Sequence, residues 1–122
     1  MNNIVSIEHR KLFEKAQQFY NIQQYKRAIQ ILVERIDVFA MRYVEYCFLC
    51  INARVQEKDY ENAKNECEFL LKNGIEDDNV YYYRGVANYY LGFKDEARID
   101  LNLSFSEGNT FAKIFLMENF KL

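Results

Sequence analysis

The chain contains no proline, and only four of its 122 residues are glycine. Without proline, no backbone amide is lost and no ring clashes with a preceding turn, so nothing forbids long helices. The few glycines act as punctuation. Gly74, Gly92 and Gly108 each follow a helical stretch, where a left-handed cap favours a residue without a side chain. Gly85 falls inside an apolar-periodic segment and marks a close approach of two helices. No long apolar run is present, so no membrane span is expected. No run of four or more basic residues is present and the net charge is −2, which opposes a nucleic-acid footprint. The first residues lack a basic stretch followed by an apolar one, so no secretory signal is expected. The three cysteines form no spaced framework. Reduced thiols fit this number best, and the expected location is cytoplasmic.

Half of the residues are hydrophobic, enough for a core in a single domain spanning 1–122. Helical periodicity runs almost throughout and predicts helices at about 6–21, 24–36, 41–56, 60–73, 79–91, 94–105 and 110–120. No segment alternates with period two, so no strand is expected. Asp59 is the expected cap of the fourth helix, Asp78 of the fifth, and Asn109 or Thr110 of the last. The connections are short, which predicts antiparallel neighbours.

Ala28, Ala63 and Ala97 are separated by 35 and 34 residues, each inside a similar phrase. These read Gln-Gln-Tyr-Lys-Arg-Ala, Lys-Asp-Tyr-Glu-Asn-Ala and Gly-Phe-Lys-Asp-Glu-Ala. Self-similarity at this period means a helical repeat array. Other rows recur in the same register: Leu12, Cys47 and Tyr81; Ala16, Ile51 and Gly85; Leu32, Cys67 and Leu101. Small residues at a helix crossing, flanked by larger apolar ones, allow close axes and interlocking ridges. On these residues the chain resembles three tetratricopeptide repeats (TPRs), at about 9–42, 44–77 and 78–111, with a capping helix at about 110–120. The third repeat fits best, through Tyr81, Tyr82, Gly85, Ala87, Tyr89, Gly92, Ala97 and Leu101. The second departs at Ile51 and Cys67, and the repeats end on Ala40, Ile75 and Asn109 where the family prefers proline. The resemblance implies an all-α, right-handed TPR solenoid of three antiparallel helix pairs with a seventh, capping helix.

Few parts for chemistry are present, and no enzymatic activity, cofactor or metal is expected. His9 reads as a solvated residue in a first helical turn. Cys47 and Cys50 are spaced C-x-x-C, but no second pair or nearby histidine completes a zinc site. A redox pair would want a strand-to-helix turn rather than a helix interior. With Cys67 they fall on rows that the repeat buries, where cysteine packs as a small hydrophobe. Glu76, Asp77 and Asp78 precede a helix, where negative charge is favoured without calcium.

The resemblance implies that the opening helix of each repeat lines a concave groove. Its expected ligand-facing residues are Phe13, Gln17, Tyr20 and Asn21, then Phe48, Asn52 and Val55, then Tyr82, Val86, Tyr89 and Tyr90. Arg10, Glu45, Gln56 and Asn79 flank them, and Phe93 continues the row of Tyr82, Val86 and Tyr89. Rings bury area at little entropic cost, and amides pair with a ligand's backbone. Some relatives grip chaperone tails with a basic two-carboxylate clamp, but Phe13, Asn79 and Tyr83 stand at clamp positions here. The expected function is binding a peptide or protein segment in the groove. Two alternatives stand beside it: a small secretion-type chaperone that dimerises through terminal helices, and a self-associating structural subunit. Phe111, Ile114, Phe115, Met117 and Phe120 make the last helix apolar on more than one face. That helix can cover the tyrosine row or meet a second copy.

Overall fold

The computed structural model describes the backbone of residues 2–39 and 44–121, and the side chains of 8–34 and 44–121. Among the described residues all regular structure is helical: α1 (Asn2–Asn21), α2 (Tyr25–Phe39), α3 (Val44–Gln56), α4 (Tyr60–Lys72), α5 (Asp78–Leu91), α6 (Lys94–Ser106) and α7 (Thr110–Phe120). The sequence places all seven, with α1 beginning four residues earlier than expected. The predicted start of α3, 41–43, lies outside the described residues. The chain divides into two compact units, Met1–Glu57 and Lys58–Leu122.

The repeat register is visible in the backbone. Ala28, Ala63 and Ala97 are each the fourth residue of their helix, and each is fully buried. Five positions earlier the chain enters the left-handed region every time, at Gln23, Lys58 and Gly92. Only the third of these residues is glycine. Gly74 and Gly108 also have positive φ, as their places after α4 and α6 require.

In the first unit, Ala16 of α1, Ala28 and Leu32 of α2, and Tyr46, Leu49 and Cys50 of α3 form one buried cluster. The Tyr46 hydroxyl donates to the carbonyl oxygen of His9, tying α3 to α1. His9 itself is only 1% exposed, and its ring lies 5.6 Å from that of Tyr46. The expectation of a solvated residue in a first turn is therefore corrected. Because α1 begins at Asn2, position 9 lies about two turns inside the helix and faces α3.

In the second unit α5 packs on both α4 and α6, and α7 packs on α6 and α5. A Cβ built on Gly85 would lie 2.7 Å from Leu101 Cγ and 3.3 Å from the Ala97 carbonyl oxygen. This is the close approach that the sequence predicts. Two caps differ from expectation. Asp77, one residue before Asp78, caps α5 by accepting from the Asn79 amide. Asp78 instead accepts from the Asn109 side chain at 2.9 Å. At α4, Asp59 holds the N-cap position but makes no capping side-chain hydrogen bond. Its carboxylate takes the Asn62 side-chain amide at 2.9 and 3.1 Å. Asn109 does cap α7, accepting from the Ala112 amide at 3.0 Å.

Candidate functional site

The groove residues expected in the first unit share the α1 and α3 surfaces. Phe13 is half-buried and stacks on Tyr46 with ring centroids 5.8 Å apart. One turn on, Gln17 points its amide toward Asn21 at 3.5 Å. Tyr20 crosses to α3, where its hydroxyl donates to Asn52 Oδ1 at 2.9 Å. The Tyr20 ring also meets the edge of Tyr25 at 5.1 Å. Burial, and secondarily Tyr25, pushes the Tyr20 phenol above its ordinary value. Phe48, Asn52 and Val55 are all half-buried along α3. The structure thus brings together rings and amides that are partly ordered by one another and partly open. Arg10 and Glu45 are exposed beside them.

The α5 positions behave differently. Val86 is 4% exposed and offers no surface to a ligand. Its helical position turns it into the core beside Gly85 and Ala87, which corrects its inclusion in the groove. Phe93 also leaves the row: Gly92 turns the chain, and the Phe93 ring lies 4.4 Å beneath the Lys64 ammonium. The three tyrosines are met by α7. Tyr82 lies 6.2 Å from Phe111, Tyr89 5.3 Å from Phe115 and 5.5 Å from Phe120, and Tyr90 6.1 Å from Phe115. Tyr90 also stacks on Tyr60 at 4.7 Å. Asn79 is engaged by the Asn109 amide at 3.3 Å. The last helix therefore lies against the tyrosine row, as the self-covering alternative expects.

One polar cluster escapes sequence reasoning. Asp100 of α6 is buried and receives two hydrogen bonds from Arg84 of α5, both 2.9 Å. Asn88 adds a third at 3.4 Å. The carboxylate raises the guanidinium pKa further. The pair lines an open cleft of about 320 Å³ with Lys64, Glu68, Glu96 and Ile99. A spacing of 16 residues between Arg84 and Asp100 is the signal, since it links two helices of one repeat.

All three cysteines are buried. Burial, reinforced by Glu66, pushes the Cys67 thiol far up, so it stays protonated at neutral pH and is a poor nucleophile. Among the described residues no group of three histidine, cysteine or carboxylate side chains is placed to hold a metal ion. No helix among them is long and apolar enough to cross a membrane.

No family model matches the sequence, and no curated protein does either. The fold does match a solved structure, the first TPR domain of the human RPAP3 protein, determined by NMR. The TM-score is 0.77 and the identity 21%, over 88% of this chain and 85% of that one. The fold is accordingly the all-α tetratricopeptide-repeat fold.

Proposed function

We propose that the chain is a protein-interaction module that holds a peptide or protein segment against α1 and α3 of the first unit. The observation that carries this reading is the Tyr20–Asn52 hydrogen bond. It fixes a ring and an amide on facing helices, with Phe13, Gln17, Phe48 and Val55 half-open around them. Ordering side chains beforehand lowers the entropic cost of binding. Amphipathic rings with nearby carboxamides suit an extended or helical ligand. The TPR fold supports a binding role. The reading places the protein in the cytoplasm, with a protein partner and neither nucleic acid nor cofactor.

Peptides selected from a random display library on the whole protein provide the test. Phe48→Ala and Asn52→Ala should each weaken the selected peptides by roughly tenfold or more, the scale of an interface hot spot. Circular dichroism must show an unchanged fold. Peptides that bind both variants as tightly as wild type would remove the α1–α3 face from consideration.

A second reading has its own observation. On α7, Phe111, Ile114 and Met117 are 66%, 50% and 54% exposed, an apolar stripe at helical spacing. It favours the small chaperone-like or self-associating subunit that pairs through its last helix. Sedimentation equilibrium decides between the two: a monomeric mass at every concentration would eliminate self-association.

A further inference from the structure

Charge on α6 is sorted to its two sides. Glu96 and Asp100 face the cleft shared with Lys64 and Arg84. On the flank toward α7, Lys94 and Arg98 lie one turn apart. Lys94 Nζ sits 5.2 Å from the Tyr89 centroid, and the Arg98 guanidinium carbon sits 5.0 Å from that of Phe120. Phe120 and Tyr89 also touch, so two cations and two rings make one continuous patch. Lys121 follows Phe120 as the left-handed cap of α7. At the other end of the α6–α7 seam, Lys113 Nζ lies 5.8 Å from the exposed Phe105 ring. Among the described residues no carboxylate lies within ion-pair distance of these four cations, whereas Arg84 has Asp100.

A ring beneath a cation restrains it and stabilises it by about 0.5–1 kcal/mol at an exposed site. It satisfies none of the N–H donors. Three ring-restrained cations and the neighbouring Lys121, all with unused donors, are complementary to carboxylates. We propose that the α6–α7 seam docks a short acidic peptide segment. Its carboxylates meet Lys94, Arg98, Lys113 and Lys121, and an apolar side chain packs on Phe105 or Phe120. From Lys113 to Lys121 the helix rises about 12 Å, the span of about four extended residues. The four cations are few, which suits a short acidic segment better than the continuous phosphates of a nucleic acid. Its residues are not those proposed for the α1–α3 face, so its fate does not depend on that one.

The test is fluorescence anisotropy with the full chain and a labelled Glu-Asp-Phe-Glu-Asp-Glu peptide at low ionic strength. The wild type should bind with a micromolar Kd that weakens as salt is added. Lys94→Glu/Arg98→Glu should lose at least about tenfold in affinity while circular dichroism shows the fold intact, and a Gln-Asn-Phe-Gln-Asn-Gln peptide should bind far more weakly. Undetectable wild-type binding, or equal affinity for the double variant or the neutral peptide, would overturn the proposal. So would tighter binding of a single-stranded oligothymidine than of the acidic peptide.

Discussion

Gly85 is the residue on which the α5–α6 crossing turns. The Leu101 side chain and the Ala97 carbonyl oxygen occupy the space that any Cβ would enter. Gly85→Leu should destabilise the second unit by about 1–3 kcal/mol or more, the usual cost of forcing extra carbons into a packed contact. Thermal melts monitored by circular dichroism would measure it, and a variant melting like wild type would mean that the crossing is loose. This position is legible in the sequence because it keeps the register of Ala16, and both are small and buried. Asp100 is not legible from its own position. A carboxylate on a helix ordinarily reads as solvated, and only the fold brings Arg84 from α5 to satisfy it. His9 is misread for a related reason. Its burial depends on where α1 begins and on Tyr46 from a helix 37 residues away, neither of which lies in its local sequence.

At the scale of elements, helices are easier to read than their ends. Periodicity locates α4 through α7 to within a residue at each end, because each buries an apolar stripe. Caps depend instead on a single dihedral setting. Asp77 and Asp78 are chemically the same, and only the extended backbone at Asp77, with φ −112° and ψ 146°, makes it the cap. The turns before α2, α4 and α6 share a left-handed residue, at Gln23, Lys58 and Gly92, but glycine reveals it only once. A side chain in that region costs about 1–2 kcal/mol, partly offset by the greater entropy that glycine loses on folding. Lys58→Gly should therefore stabilise the protein by up to about 1 kcal/mol. The reverse change, Gly92→Ala, should destabilise it by about the same amount. Denaturant midpoints for the two variants should move in opposite directions. A shared direction would mean that the turn residues contribute through something other than their backbone geometry.

At the scale of the whole molecule, the distribution of aromatic residues is the leading feature. The sequence shows that α7 is apolar on several faces but not where each face goes. In the fold, Phe115 and Phe120 turn toward the α5 tyrosines while Ile114 and Met117 turn outward. The candidate site in the first unit is legible as a set of residue types, whereas the Tyr20–Asn52 bond needs the α1–α3 packing. Tyrosine also gives both units a shared response to alkali. The phenols of Tyr20 in the first unit, and of Tyr60 and Tyr82 in the second, are pushed above the ordinary value, chiefly by burial. A phenol with a raised folded-state pKa keeps its proton longer in the folded chain than in the unfolded one. Its stabilising contribution is complete below the unfolded value near 10 and is lost as pH rises through the folded value. Stability should thus hold level with respect to these groups up to about pH 10 and fall beyond it. Lysine deprotonation overlaps this window, so the comparison with Tyr82→Phe isolates one phenol. That variant should lose less stability above about pH 10 than wild type, while its phenolate absorbance should show one fewer late-titrating ring. Parallel losses in the two proteins would mean that Tyr82 ionises as freely folded as unfolded, and that α7 does not shield it.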